Sequence, residues 1–368
     1  MNILVTGGAG FVGSHLVDAL VKKHGVTIYD NLDPQVHKAL PDYLNDDAEL
    51  IKEDIRDRAK LKDAVMDAEV VFHEAAMVGV GQSMYQVEKY MDVNTMGTAK
   101  LLDILANEEH SVKKLIVASS MSIYGEGKYE CSDCGMLYPP LRSNEQLKKR
   151  EWEMKCPSCG RIVKPVPTDE NKPLQPTSIY AISKKDQEEM CLAIGHAYGI
   201  PTVALRYFNI YGPRQALSNP YTGVCAIFSS RIKNNNPPII FEDGMQTRDF
   251  ISVHDIVRAN ILVMEKSKAD YEMFNVGTGE PVSIFDIAHT LSELYGKDIK
   301  PEVVNKYRSG DIRHCYADIS KIRKLGFKPS VSFENGMRQL VEWGMTQEAE
   351  DRSDAAYQEL KEKGLVEK

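Results

Sequence analysis

Residues 2–13 read Asn2-Ile3-Leu4-Val5-Thr6-Gly7-Gly8-Ala9-Gly10-Phe11-Val12-Gly13, and the helix-like run Ser14-His15-Leu16-Val17-Asp18-Ala19-Leu20 follows at once. An apolar strand, a glycine turn and a helix stand in that order. Gly7, Gly10 and Gly13 are three residues apart. That spacing tightens the turn, lets the backbone approach a pyrophosphate, and seats the helix against the strand with its N-terminal N–H groups facing the phosphates. A second apolar run, Val26-Thr27-Ile28-Tyr29, ends in Asp30, seventeen residues past Gly13. A carboxylate there accepts hydrogen bonds from a ribose diol, and no arginine stands beside it to hold a 2'-phosphate, so the unit predicts NAD over NADP.

Apolar runs at 2–6, 26–29, 70–73, 114–119, 202–207 and 273–276 alternate with helical stretches. The alternation predicts an α/β fold, a Rossmann-type doubly wound parallel sheet. Helical spacing at Tyr90, Val93, Leu101, Leu102 and Leu105 predicts a helix across 83–107, and another spans 178–198, closed by Gly199 and Pro201. From about residue 212 Pro213, Pro220, Gly223, Pro237, Pro238 and Gly244 punctuate the chain, which predicts a smaller C-terminal substrate-binding lobe of short strands and loops. The expected division is an NAD-binding domain over 1–127 and 165–211, an insertion over 128–164, and a substrate lobe over 212–345 with some segments returning to the sheet. A solvated helix or tail is expected over 346–368.

The 368 residues are 43% hydrophobic and carry a net charge of -8, with a pI near 5.7. The chain can bury a large core and has no basic excess to neutralise phosphates over a broad face, so neither nucleic acid nor a membrane is an expected partner. No apolar run approaches the roughly 20 residues of a membrane span, and nothing ahead of Ile3 resembles a secretion signal. A cytoplasmic setting is expected, where the seven cysteines are thiols or metal ligands before they are disulfides.

Four of those cysteines form two C-x-x-C-G units, Cys131-Ser132-Asp133-Cys134-Gly135 and Cys156-Pro157-Ser158-Cys159-Gly160. A spacing of two lets both thiolates of a unit reach one ion, and the following glycine relieves the turn. Together they supply the closed four-thiolate tetrahedron that Zn2+ prefers, a zinc-ribbon-like lobe with no coordination position left for substrate; iron is the alternative metal. The metal is expected to be structural. Cys191, Cys225 and Cys315 read as isolated thiols, and Leu147-Lys148-Lys149-Arg150-Glu151-Trp152 as a solvated face with Trp152 packed on the lobe.

The run 114–119 continues into Ser120-Met121-Ser122-Ile123-Tyr124-Gly125, and farther on stands Tyr180-Ala181-Ile182-Ser183-Lys184. On a helix Tyr180 and Lys184 share a face, where the ammonium can favour the phenolate that removes a proton from a sugar hydroxyl. Tyr85/Lys89 and Tyr124/Lys128 have the same spacing, and periodicity does not choose among the three.

The order Thr6-Gly7-Gly8-Ala9-Gly10-Phe11-Val12-Gly13, Phe72-His73-Glu74-Ala75-Ala76, Asn94, Ser119-Ser120-x-x-Ile123-Tyr124-Gly125, Tyr180-x-x-x-Lys184 and Arg206-Tyr207-Phe208-Asn209-Ile210-Tyr211-Gly212-Pro213-Arg214 resembles the extended short-chain dehydrogenase/reductase superfamily, in its nucleotide-sugar epimerase/dehydratase branch. The resemblance covers roughly 1–340 apart from the cysteine lobe, which lengthens the usual serine-to-tyrosine link. It implies a catalytic set of Ser120, Tyr180 and Lys184. It assigns the cofactor Gly7, Gly10, Phe11, Val12, Gly13, Asp30, Asn31, Asp54, Ile55, Ala75, Ala76, Asn94, Ser119 and Tyr207 besides Tyr180 and Lys184. Gly244-Met245-Gln246-Thr247-Arg248-Asp249-Phe250 and Arg308-Ser309-Gly310-Asp311 are similar to the family's sugar-nucleotide clamp: Arg248 and Arg308 for the diphosphate, Asp311 for a ribose, with Ser120, Ser122, Asn209 and Arg214 completing the substrate set. The family commonly dimerises through helices matching 83–107 and 178–198, so a homodimer is implied.

The 4,6-dehydratases of this branch place an Asp-Glu pair directly after the residue matching Ser120, because eliminating water needs an acid and a base there. Met121 and Ser122 occupy those positions, and the decarboxylating relatives' glutamate is also absent at 122. What remains is 4-epimerisation through a 4-keto intermediate. Asn31–His37, Val78–Tyr85 and Pro220–Val224 look more like the dTDP-L-rhamnose 4-epimerase type than the UDP-galactose type. UDP-glucose or a UDP-N-acetylhexosamine is the alternative substrate, a dehydratase or decarboxylase the alternative reaction, and a non-catalytic NAD-binding regulatory protein the alternative class.

Overall fold

The computed structural model describes residues 1–308 and 310–366. Seven strands form the central sheet: β1 (Asn2–Thr6), β2 (Gly25–Tyr29), β3 (Glu49–Ile51), β4 (Val70–His73), β5 (Lys114–Ser120), β6 (Thr202–Tyr207) and β7 (Glu272–Val276). Their order is β7-β6-β5-β4-β1-β2-β3, and every pairing is parallel. The chain reverses direction across the sheet between β1 and β4. There the carboxyl ends of neighbouring strands diverge and leave a crevice for a ligand. Burial on both faces explains why the strands read as unbroken apolar runs. β3 is a three-residue edge strand, too short and too polar to be seen in the sequence.

Apolar layers pack both sheet faces. One gathers Ile3, Val5, Leu16 and Ile116 with Ile256 and Val263 of the helix Val253–Glu265. The other joins Leu4, Val71, Leu101, Leu105 and Cys191. The helix Ile179–Tyr198 starts on Ser178, whose side chain accepts from Ala181 N, and ends on Gly199 at φ 67°, a left-handed cap that glycine adopts without strain. The stretch expected as one helix across 83–107 is continuous helix from Val87: Val87–Tyr90 passes through a π-helical turn, Met91–Met96, directly into Gly97–Asn107, while Val80–Ser83 is a separate short turn ahead of it.

Helices Val224–Lys233, Ile284–Leu294 and Phe333–Thr346 build a separate core around Phe228, Ile287, Leu291, Met337 and Leu340. Beside it lie Asn209–Tyr211, Thr247–Ser252 and Pro281–Ser283, paired in one small sheet. The insertion is a third body: Lys128–Cys131 pairs antiparallel with both Gly135–Leu137 and Lys164–Val166 around a small core of Tyr129, Met154 and Val163. Its closing strand straddles the boundary expected at 164/165. Among the described residues no helix is long and apolar enough to cross a membrane.

The tail departs from the expectation of a solvated segment. Residues Ser353–Glu362 form a helix whose Ala356 and Leu360 are buried against the rest of the protein.

Candidate active site and metal cluster

One cavity of about 710 Å³ runs from the glycine turn to the C-terminal lobe. Its floor follows from the residues of the turn. A Cβ on Gly7 would lie 2.7 Å from Ala75 N, and one on Gly13 would lie 2.3 Å from Gly7 O, so both positions exclude any side chain. Gly10 caps the helix Phe11–Leu20, and neither a capping side chain nor a first-turn acid occupies that N-terminus. Backbone N–H groups and a bare positive helix end are what a pyrophosphate requires, so the turn fits a dinucleotide.

Gly7, Gly10, Phe11, Val12, Gly13, Asp30, Asn31, Ile55, Ala75, Ala76, Ser119, Tyr180, Lys184 and Tyr207 all line the cavity. Asp30 also braces the turn: it accepts from Ala9 N at 3.0 Å and from Leu32 N at 2.8 Å. Two of the expected cofactor residues stand behind the wall. Asn94 is fully buried and clamps Met77, accepting from its N–H at 2.7 Å and donating to its carbonyl at 3.1 Å. Asp54 is not among the cavity-lining residues; Arg56 and Asn31, which are, donate to it, and their bonds hold its carboxyl well below the usual carboxylate range. Arg56 does line the cavity, but Asp54 and Asp92 engage its guanidinium at 2.8 Å each.

β5 delivers Ser120 and the helix Ile179–Tyr198 delivers Tyr180 and Lys184 to one stretch of wall. Ser120 Oγ accepts from Ser122 N at 3.1 Å and from Ser122 Oγ at 2.9 Å. Lys184 Nζ donates to Ala118 O at 2.8 Å, and burial pushes its pKa down to about 8. The i, i+4 spacing predicts that this ammonium lowers the tyrosine directly. Instead burial dominates and pushes the Tyr180 phenol up, with the Ser120 hydroxyl pulling it back. The other two pairs of the same spacing are engaged elsewhere. Tyr124 is buried and bonded to Asn275 and Arg206, and Tyr85 donates to Tyr221.

The sequence reading missed Glu74. It lines the cavity at the end of β4 and accepts from Tyr207 Oη at 2.8 Å; burial raises its pKa to about 7. Its place within Phe72-His73-Glu74-Ala75-Ala76 is the only signal it gave.

The clamp residues divide. Ser122, Asn209, Arg248, Arg308 and Asp311 line the cavity, whereas Ser309 lies outside the described residues. Asn209 Oδ1 and Gln246 Oε1 are buried there with no hydrogen-bond partner among the described residues, so both can receive a ligand's hydrogen bonds. Arg248 donates to the carbonyls of Thr247, Ile312 and Arg313; Arg308 stacks 4.7 Å over Phe241 and pairs with Asp311 at 2.8 Å. Arg214 is elsewhere. It forms an ion pair with Asp18 at 2.7 Å and stacks on Tyr43, a junction between the lobe and the helix Phe11–Leu20.

The ligand sulfurs of Cys131, Cys134, Cys156 and Cys159 lie within 4.8 Å of one another, a candidate metal cluster. Gly135 and Gly160 sit at φ 77° and 75° with open space where a Cβ would be, so conformation and not crowding calls for glycine. The Cys159 and Ser158 backbone N–H groups pull the Cys156 thiol down to about 6, whereas hydrogen bonds from its cysteine neighbours push the Cys134 thiol up. This lobe reaches the cavity through charge. Arg142 makes two 2.8 Å bonds to Glu242, and Arg313, fully buried, bonds Glu242, Asp243 and Glu153. Arg142 also donates to Asp311 O at 3.2 Å.

Residues 3–146 match the model of the NAD dependent epimerase/dehydratase family, and residues 160–340 match that of GDP-mannose 4,6 dehydratase. The chain is 34% identical over 348 residues to the dTDP-L-rhamnose 4-epimerase of Burkholderia thailandensis, covering 93% of this chain and 94% of that protein. Among solved structures it resembles UDP-glucose 4-epimerase of Thermotoga maritima with UDP-glucose, at 33% identity and TM-score 0.77 over 93% of this chain and 98% of the other. It also resembles UDP-glucuronic acid 4-epimerase of Bacillus cereus bound to UDP-glucuronic acid and NAD, at 29% identity and TM-score 0.75 over 94% and 99%. With a glycine cradle shaped for a dinucleotide and relatives matched along nearly their whole length, this chain belongs to the extended short-chain dehydrogenase/reductase enzymes, in the NAD-dependent nucleotide-sugar epimerase family.

Proposed function

We propose that the protein inverts C4 of a nucleotide-linked hexose through a 4-keto intermediate. The carrying observation is the wall where Ser120, Tyr180 and Lys184 meet, with the apolar Met121 between core and cavity and Ser122 bonded to Ser120. No carboxylate stands at the two positions after Ser120, where elimination of water would need one. Tyr180 in its phenolate form takes the 4-hydroxyl proton and becomes the neutral phenol, Ser120 hydrogen-bonds to the same sugar oxygen, and Lys184 holds the nicotinamide ribose. NAD, when bound, supplies the acceptor and donor of the C4 hydride. The keto sugar turns over before the hydride returns to its opposite face. Asp30 takes the adenine ribose, and the engagement of Arg56 by two aspartates disfavours a 2'-phosphate.

For the substrate we favour a dTDP-L-rhamnose-like sugar. Asp33, Gln35, His37, Gly79, Gly81 and Tyr221, from the three stretches that carry that likeness, all line the cavity. UDP-glucose and UDP-N-acetylhexosamines are the competing substrates. A 4,6-dehydratase is the second reading, favoured by the family match over 160–340.

We further propose one structural Zn2+ on the four cysteines, a cytoplasmic enzyme with all seven thiols unpaired, and a homodimer. The deciding experiment incubates the protein with dTDP-, UDP- and GDP-hexoses and reads the products by NMR. C4 inversion is expected. Release of a 4-keto-6-deoxy sugar, or carbon dioxide from a nucleotide hexuronate, would replace this reading with a dehydratase or a decarboxylase.

A further inference from the structure

The helix Ser353–Glu362 lies beyond both matched family segments, the later of which ends at residue 340, yet Ser353, Ala356, Tyr357 and Leu360 line the same cavity as the glycine turn and the arginine clamp. These four are spaced i, i+3, i+4 and i+7, so one stripe of the helix faces inward. On one side the helix meets the segment after β4. Leu360 Cδ2 lies 3.2 Å from where a Cβ on Gly81 would be, and the Lys363 ammonium sits 5.8 Å over the Tyr85 ring. On the other side it meets the C-terminal lobe. Tyr221 donates to Glu359 at 2.5 Å, Arg231 pairs with Asp354 at 2.7 Å, and Lys306 Nζ donates to Tyr357 Oη at 3.2 Å. Tyr85 Oη donates to Tyr221 Oη at 2.9 Å, so the contacts close into a ring around the helix.

The Tyr357 ring lies 6.0 Å from Phe241, and Arg308 stacks on the other ring of that pair. An arginine beside two aromatic rings suits an anionic ligand with a flat heteroaromatic group, and the unpartnered Asn209 and Gln246 amide oxygens of the same cavity can accept from its N–H or O–H groups, which is the chemistry of a nucleoside diphosphate. We infer that the C-terminal helix is the outer wall of the nucleotide-sugar site, with Tyr357 and Leu360 as specificity-determining residues that touch the bound nucleotide sugar. This inference rests on the nucleotide-sugar reading above. The helix spans both halves of the cavity, so it sets how large a ligand is accepted and holds the keto sugar while it turns.

The test compares the wild type with a chain ending at Arg352 and with Tyr357→Ala and Leu360→Ala. Each is assayed for retained NAD, for affinity toward UDP and dTDP by calorimetry, and for KM and kcat on the sugar that the wild type converts. The point variants serve if the shortened chain does not fold. Nucleotide affinity and KM are expected to worsen about tenfold, with NAD content unchanged and kcat altered less. Values within about twofold of wild type in both Tyr357→Ala and Leu360→Ala would overturn the inference, since a residue that determines specificity is one of the few contacts whose truncation costs more than that. A wild type that binds neither UDP nor dTDP would instead remove the function on which it stands.

Discussion

Tyr180 and Ser120 carry the reaction on this reading, and each has one oxygen to lose. Tyr180→Phe removes the proton acceptor and Ser120→Ala the partner of the sugar oxygen, so kcat should fall about 10²-fold or more in each, while denatured protein still releases NAD. Glu74 yields a pH signature. Burial raises its pKa from 4.5 to about 7, so the folded protein binds more protons than the unfolded chain between those values. Stability contributed at this position is therefore lost as pH rises from 4.5 to about 7. Glu74→Gln keeps an acceptor for Tyr207 and removes the charge, so its melting temperature should gain on the wild type over that window, and parallel curves would contradict the assignment. Glycines and the Ser-Tyr-Lys set were legible because their identities are dictated by close backbone approach and by chemistry. Glu74 was not, because a buried acid is recognised by what surrounds it. Asn94, Asp54 and Arg214 show the converse, where a family position is filled yet the side chain serves the scaffold.

Among the elements, the cysteine lobe has the clearest function to test. Its two glycine-turned knuckles gather four sulfurs, and Arg142 and Glu153 from the same lobe hold Glu242 and Arg313 beside the clamp. Glu242 sits at φ 55°, a left-handed conformation kept in place by its two guanidinium partners. Metal analysis should give one zinc per chain. Cys131→Ser should lower the melting temperature and raise KM more than it lowers kcat. Arg142→Met leaves a buried carboxylate short of a partner and should destabilise the fold by about 3–5 kcal/mol. A metal-free protein of wild-type stability would sink the zinc assignment. The knuckles were readable from spacing alone, whereas the network was not, since Arg142 and Glu242 are 100 residues apart. The helix over 83–107 was readable from Val87 onward, but the π turn inside it was not. A π turn adds a residue to the repeat and shifts the apolar face without breaking the pattern.

At the scale of the whole molecule, the parallel sheet and its crevice were evident from six apolar runs, because strands buried on both faces announce themselves. The C-terminal helix was expected but its burial was not, the inward stripe being only four residues among many charges. The surface adds a prediction about assembly. Helices Gly97–Asn107 and Ile179–Tyr198 pack together and leave apolar side chains uncovered on and beside them: Met96 is 50% exposed, Ile182 37% and Tyr198 53%. Such a face fits a second copy, so light scattering at micromolar concentration should report a dimer, and Met96→Glu with Ile182→Glu should shift it toward monomer. A monomeric wild type would rule this interface out. The stem of the insertion bears on how the chain folds. Ser120 and Tyr180 are 60 residues apart, and a link of about 25 would have cost only about 0.8 kcal/mol less in closure entropy. Once Lys128–Glu130 zips to Lys164–Val166, the interior of the lobe drops out of the loop. The length of chain beyond that stem then bears little on bringing the two reacting side chains together, whereas Arg142 and Glu153 still tie the lobe to the clamp.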